Sequence, residues 1–405
     1  MPLGFHLMAK PIGPKCNLNC EYCFYTEKEA LFPPQEDYRM NDSVLDAYTR
    51  QYIESQDVPE VTFAWQGGEP MLLGLNYFKK VVELQKMYAE GKRILNTLQT
   101  NGVLLNDDWC SFLIKNNFLV GLSLDGPVEI HDGYRVDRSG KPTFDKVVHG
   151  LELLQKHSVQ FNILACVNRL SSQHPLRVYR FLVEQGVQYI QFIPIVERVP
   201  NSHEKEFGLR LSAPPIFNVR QTETDVMPWA VTPKAYGEFL IEVFDEWIES
   251  DVGNVFVMNF EWALNSLMGN PSPTCYFSER CGSSLILEHN GDIYSCDHFM
   301  YPQYRLGNIL VDDLRRIVES ERQLDFGYIK EERLPRFCKQ CSFIKVCRGE
   351  CPKHRFCKTP DGEPGLNYLC SAYRKYFAHI TPYLKRIVEL ILKGKPASNI
   401  VMKES

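Results

Sequence analysis

The feature that most restricts the fold is an alternation over residues 1 to about 200. Six strand-like runs, "GFHLMAK", "EVTFAW", "RILNTLQT", "FLVGLSLD", "VQFNILACV" and "YIQFIPIV", are separated by helix-like segments. Of these, "NDSVLDAYTRQYIES" offers Asn41 or Asp42 as a cap, and "LNYFKKVVELQKMYAEG" repeats apolar residues at three and four before Gly91. Strands that alternate with helices pair in parallel, because each helix returns the chain to the side where the next strand begins. Six units predict an α/β fold, an open partial (β/α)6 barrel of the TIM type. Such a barrel places its chemistry at the C-terminal ends of its strands.

Beyond residue 200 the pattern changes. Residues 201–232 are rich in proline and polar residues and read as a loop, one suited to lie over an active site. The helix "KAYGEFLIEVFDEWIES" follows, then a loop-rich stretch that holds nine of the fourteen cysteines, and "IVELILKG" reads as a helix packed back on the core. The expected organisation is a barrel at 1–235, a linker helix region at 236–269, a cysteine-rich domain at 270–375, and a terminal helix and tail at 376–405.

The net charge of −5 gives no reason to expect nucleic acid or an anionic membrane as partner. No run approaches the ~20 apolar residues of a membrane span. The segment "MPLGFHLMAKPIGPKC" lacks the basic and apolar regions of a signal peptide, so a cytoplasmic location is expected. Thiols stay reduced there, and fourteen clustered cysteines then point to metal or clusters instead of disulfides.

"CNLNCEYCFY" puts Cys16, Cys20 and Cys23 just after the first strand. Three thiolates can hold three irons of a cubane and leave the fourth iron open. Zinc would need a fourth ligand, and no residue of 11–30 other than these cysteines is a natural one. With an aromatic, Tyr22, before the last cysteine, the motif resembles that of the radical S-adenosylmethionine (SAM) superfamily. The resemblance implies that the open iron chelates the amino and carboxylate groups of SAM, which is cleaved to a 5′-deoxyadenosyl radical.

Further motifs end the next strands. "QGGEP" supplies Gln66, Gly67, Gly68 and Glu69 and matches the family's GGE motif, although a glycine pair alone reads equally as a plain turn. Its glycines would let backbone approach a ligand, and Glu69 would pair with the SAM ammonium. Ser123 in "SLDGP" and Arg135 in "HDGYR" are the expected contacts to the SAM carboxylate. Tyr22 and Tyr25 complete the expected cofactor site.

Eight distal cysteines make two sets of four, for which structural zinc ribbons are the general alternative. Attached to a radical SAM barrel they resemble the SPASM extension, which carries two auxiliary 4Fe–4S clusters. The resemblance places Cys275, Cys281, Cys296 and Cys351 on one cluster and Cys338, Cys341, Cys347 and Cys370 on the other, giving three clusters with the first. Cys357 is a rival ligand, whereas Cys110 and Cys166 read as apolar fillers. Residues 330–358 hold nine basic residues, among them Lys330, Lys353 and Arg355. They read as compensation for cluster charge and as a docking face for flavodoxin or ferredoxin.

Taken with "LQTNG", "FNILACV", "DIYSCDHF" and "RLGNI", these motifs resemble the anaerobic sulfatase-maturating enzymes over residues 5 to about 375. The family oxidises a Cys or Ser of an unfolded sulfatase to Cα-formylglycine, with hydrogen abstraction from Cβ. Its catalytic base corresponds to Asp297, directly after Cys296, while Asp292 reads as solvated. The substrate groove is expected beside Gln66, Tyr25 and "QFIPIV". The alternatives are another SPASM peptide-modifying enzyme, such as a thioether maturase, or a non-enzymatic electron-transfer or regulatory protein. A maturase usually has an N-terminal peptide-recognition domain, for which Cys16 is expected to lie too near the start; intact SAM motifs argue against a degenerate regulator.

Overall fold

The protein is described by a computed structural model over residues 4–33, 38–215 and 225–400. Six strands, β1 (His6–Lys10), β2 (Glu60–Trp65), β3 (Arg93–Thr100), β4 (Phe118–Ser123), β5 (Phe161–Val167) and β6 (Tyr189–Pro194), lie side by side in chain order. Every neighbouring pair is parallel, as the alternation predicts. Alternate residues of each strand face the surrounding helices. Phe63 and Trp65 of β2 pack against Tyr48 of helix Asp42–Glu54, and Trp65 meets Phe78 of helix Leu75–Tyr88. The side chain of Asn41 accepts from Val44 N and starts the first of these helices.

The sheet is wider than the six predicted strands. On one side β7 (Phe256–Val257), from the region expected to be a linker, pairs with β6. On the other, β8 (Ser284–Glu288) runs parallel to β1, in register from His6 beside Ser284 to Lys10 beside Glu288. The strands β9 (Asp292–Tyr294) and β10 (Arg305–Asn308) continue it antiparallel. The cysteine-rich segment therefore grows out of the barrel's edge strand, and its chain reaches the barrel mouth at the end of β8. The long helix Cys370–Leu392 packs on helix Pro233–Ser250, where Gly237 leaves room for the backbone of Ala372.

The loop expected at 201–232 has structure where it is described, and residues 216–224 lie outside the described residues. Residues Ser202–Glu206 form a short helix with a capping box between Asn201 and Glu204, a signal present in "NSHE" and missed in the sequence. Glu27, four residues past Cys23, accepts from the backbone N–H groups of Arg210 and Leu211, and Trp229 packs on Tyr22. These contacts fix the segment beside the cysteine loop. Among the described residues no helix is long and apolar enough to cross a membrane.

Candidate active site

The loop after β1 carries Cys16, Cys20 and Cys23 and is stapled from two sides. Residues 134–138 bind it through Asn19 N to Val136 O (2.8 Å), Glu21 N to Tyr134 O (3.1 Å) and Arg138 Nε to Cys16 O (2.7 Å). The GGE loop binds it through Gly68 N to Gly13 O (2.8 Å) and Glu69 N to Lys15 O (2.9 Å). A Cβ on Gly68 would lie 1.8 Å from the Lys15 carbonyl oxygen. Glycine is therefore required here by the approach of the cysteine loop, a reason different from the ligand contact expected. Burial pushes the Cys16 and Cys20 thiols up to about 12, and each feels the charge of Cys23. A nearby positive group would favour the thiolate form of Cys16 and Cys20.

Behind the loop lies a buried ionic group that sequence reading caught only in part. Arg135 is not a solvated loop residue. Its Nε donates to Asp125 (3.0 Å), one Nη to Cys166 Sγ (3.5 Å), and the other reaches Cys20 Sγ (3.9 Å). The Tyr22 hydroxyl donates to Asp125, and its ring lies 5.4 Å from the guanidinium carbon. Asp125 also accepts from Cys166 N at 2.9 Å. Cys166 is therefore a polar partner of this group and not an apolar filler, while Cys110 is buried in its helix as expected.

Glu69 sits at the junction of two loops. Its side chain is fully buried and accepts from Met71 N, Thr100 Oγ1 and Asn101 N at 2.8–3.0 Å. Burial pushes its carboxyl up to about 7, against the opposing effect of these donors. Through these bonds Glu69 ties the "QTNG" loop to the GGE loop, and Oε2, which accepts from Asn101 N alone, keeps a lone pair for a further donor. Asn101, in turn, donates to Asn17 at 2.8 Å and reaches Cys16 Sγ at 3.7 Å. Gln66 and Gly67 are half-buried at the same rim, and the Ser123 hydroxyl accepts from Gln99 Nε2 at 3.1 Å.

Asp297 arrives at this mouth from the cysteine-rich segment, because β8 pairs with β1. Lys10 Nζ, at the end of β1, lies 2.8 Å from Asp297 Oδ1 and 4.3 Å from the centre of the Tyr25 ring. The Tyr25 hydroxyl donates to both oxygens of Glu288 (2.8 and 2.9 Å), the partner of Lys10 across the strands. Lys10 is 1% exposed, whereas the Asp297 side chain keeps 20%. The lysine thus has no competing water, and the carboxylate can still meet a substrate. Tyr25, at 3% exposure, supports the mouth from beneath more than it lines a groove. Lys10, Asp125, Asn101 and Glu288 all escaped sequence reading; for Lys10, a lysine closing a mostly apolar strand was the available signal. Asp292, read as solvated, pairs instead with Arg305 (2.7 Å) and accepts from Asn308 (2.9 Å).

The distal thiols lie in two neighbourhoods. Cys296 and Cys351 each feel the charge of Cys275 and Cys281, and Cys351 that of Cys296. Cys338, Cys341, Cys347 and Cys370 line one hollow with Phe343, Tyr373 and Phe377, and Cys357 on β11 (Cys357–Lys358) is near enough for its charge to be felt by Cys370. Among the described residues no three His, Cys, Asp or Glu side chains converge tightly enough for one metal ion, so fit is judged by donor type and grouping. Four sulfur donors per set fit a 4Fe–4S cluster, and three fit one with an open corner. Part of the basic run turns inward. Lys330 is buried and donates to the carbonyls of Cys275 and Tyr276, and buried Arg355 donates to those of Gly349 and Lys330. These two compensate thiolate charge and are no part of a docking face.

Comparison with known proteins agrees with this layout. Residues 11–182 match the model of the radical SAM superfamily, and residues 275–342 match that of the SPASM iron–sulfur cluster-binding domain. The chain is 45% identical to a serine-type anaerobic sulfatase-maturating enzyme of Bacteroides thetaiotaomicron, over 98% of this chain and 94% of that one. It is 36% identical to a serine-type enzyme of Klebsiella aerogenes (95% and 87% covered) and 33% to a cysteine-type enzyme of Clostridium perfringens (95% and 98%). A solved structure of anSMEcpe with bound AdoMet and peptide superposes with a TM-score of 0.81 at 32% identity, over 95% of this chain and 99% of that one. With its triad loop at the barrel mouth and its two four-thiol sets, the chain belongs to the anaerobic sulfatase-maturating enzymes of the radical SAM superfamily.

Proposed function

We propose that the protein oxidises a serine or cysteine of an unfolded sulfatase to Cα-formylglycine, with Asp297 as base. The observation that carries this reading is the Lys10–Asp297 pair, which sets an accessible carboxylate at the mouth beside the triad loop. When bound, SAM and the clusters supply a 5′-deoxyadenosyl radical that takes hydrogen from the target Cβ, and an acceptor for the electron that follows. Removing one hydrogen atom, one electron and one proton completes a two-electron oxidation, and the chain must place the proton. Asp297 accepts it from the target hydroxyl or thiol, and Lys10 holds the carboxylate in the geometry to do so. Cys16, Cys20 and Cys23 would hold the first cluster. Tyr22 and Asp125 orient Arg135, which with Ser123 would hold the carboxylate of SAM. Gln66 and the end of β6 border the peptide groove.

The serine-type relatives share more residues with this chain (45% and 36%) than the cysteine-type one does (33%), which favours serine as the target. Exposed Arg336, Lys339 and Lys345, next to the set headed by Cys338, suit an acidic electron donor such as flavodoxin or ferredoxin. A cytosolic setting, with reduced thiols, suits all three thiol sets. The test is incubation of reduced, reconstituted protein with SAM and a serine-containing sulfatase peptide. The expected products are 5′-deoxyadenosine and an aldehyde-bearing peptide. A thioether cross-link in the peptide would point to the maturase alternative, and no 5′-deoxyadenosine would refute enzymatic SAM cleavage.

A further inference from the structure

The residue after Asp297 has no part in the reaction described above. His298 is half-buried, and its Nδ1 lies 3.5 Å from the Sγ of Cys351. Its ring is fixed between aromatic neighbours, with centroids 5.3 Å from Phe24, 6.0 Å from Tyr276 and 6.4 Å from His354. Phe24 follows Cys23 of the triad loop, and Tyr276 follows Cys275 of the auxiliary set. The imidazole thus stands between the two thiol sites and is locked toward one sulfur of the second.

A cluster-bound Cys351 is a thiolate with no proton to give, so a hydrogen shared with His298 must belong to Nδ1. An N–H donor withdraws charge from the ligand sulfur. That stabilises the reduced cluster, which carries one more negative charge, over the oxidised one. We propose that His298 donates an Nδ1–H···Sγ hydrogen bond to Cys351 and raises the reduction potential of the auxiliary cluster nearest the catalytic base. It is a positioning and tuning residue and touches no reacting atom. Its effect is to make that cluster the better acceptor for the single electron left on the substrate after hydrogen abstraction, beside the carboxylate that takes the proton. The inference rests on the assignment of Cys275, Cys281, Cys296 and Cys351 to one 4Fe–4S cluster.

The test uses the full-length reconstituted holoenzyme with histidine labelled by nitrogen-15. Pulsed electron paramagnetic resonance of the reduced auxiliary cluster, identified by its loss in Cys351→Ala, should show a weak imidazole nitrogen coupling. His298→Gln and His298→Phe should both remove that coupling. In His298→Phe, a redox titration should show the equilibrium for accepting an electron about fivefold less favourable at this cluster. Fivefold is the size expected of one hydrogen bond and corresponds to about 40 mV at ~59 mV per tenfold. His298→Gln, which keeps an N–H donor, should recover part of the shift, and the other two clusters should not move. Absence of the coupling in the wild-type protein overturns the proposal even if His298→Phe does not fold. A full iron complement with an unchanged potential in His298→Phe overturns it as well. Lack of any cluster at the Cys351 set would instead refute the assignment beneath it.

Discussion

The loop at residues 16–23 and the segment at 338–370 both gather thiols, and they surround them in opposite ways. Beside Cys16 and Cys20 the neighbours are polar and aimed at sulfur, namely Leu18 N, Asn101 and Arg135. Around Cys338, Cys341, Cys347 and Cys370 the walls are mostly apolar, Phe337, Phe343, Ile344, Tyr373 and Phe377, with Arg374 as the charged member. A polar surround suits three thiols whose site must still admit the amino-acid end of SAM. An apolar one suits four thiols that complete their own site and need only exclude water. The number of cysteines and the chemistry of their walls thus tell the same story, one open centre and one closed.

The strongest way to break that contrast is to remove the open centre. Changing Cys16, Cys20 and Cys23 together to Ala should abolish 5′-deoxyadenosine formation and leave about eight of about twelve irons by iron analysis. A larger loss of iron would mean that the two regions do not hold their clusters independently. Next in size is Asp297→Asn. It should keep SAM cleavage and lower formylglycine formation by about 10²–10⁴-fold in coupled product assays, the range of general-base catalysis. Lys10→Met should act in the same direction but less, about tenfold, because it removes the partner that orients the base. Comparing formylglycine with 5′-deoxyadenosine checks this, and a proportional loss of both would make Lys10 a general structural residue.

The smallest effect concerns Glu69. Its carboxyl is raised by burial from 4.5 to about 7, so the folded state holds the proton more tightly than the unfolded chain. Its contribution to stability is therefore fully present below pH 4.5 and is lost as pH rises through 7. The loss at full ionisation is of the order of 3 kcal/mol. Thermal unfolding of the wild-type protein should show this decline relative to Glu69→Gln, which has no proton to lose. A Gln variant that unfolds normally but binds SAM poorly would support the ammonium contact expected of Glu69.

Much of this was legible in the chain because local signals were strong. Six apolar runs bounded by helical periodicity became β1–β6, and the thiol spacing of "CNLNCEYC" needed no tertiary information. Non-local pairing was not legible. Nothing in "SSLILE" says that it will run parallel to "HLMAK", yet that register puts Glu288 beside Lys10 and carries Asp297 to the mouth. Charge counting along 330–358 could not tell Lys330 and Arg355, turned inward onto carbonyls, from exposed Lys339 and Lys345. Burial decides that difference, and burial depends on contacts distant in sequence. Asp125 was hidden for a similar reason: its partners Tyr22, Arg135 and Cys166 come from three separate segments.

In this reaction Asp297, delivered by β8 to the end of β1, is proposed to take the substrate proton after SAM has been cleaved. The most direct measurement of this role is a single-turnover assay of Asp297→Asn with SAM and a sulfatase peptide, with 5′-deoxyadenosine and formylglycine quantified in the same sample. The predicted result is 5′-deoxyadenosine near the wild-type amount with little formylglycine. Formylglycine at the wild-type level in that variant would contradict that role.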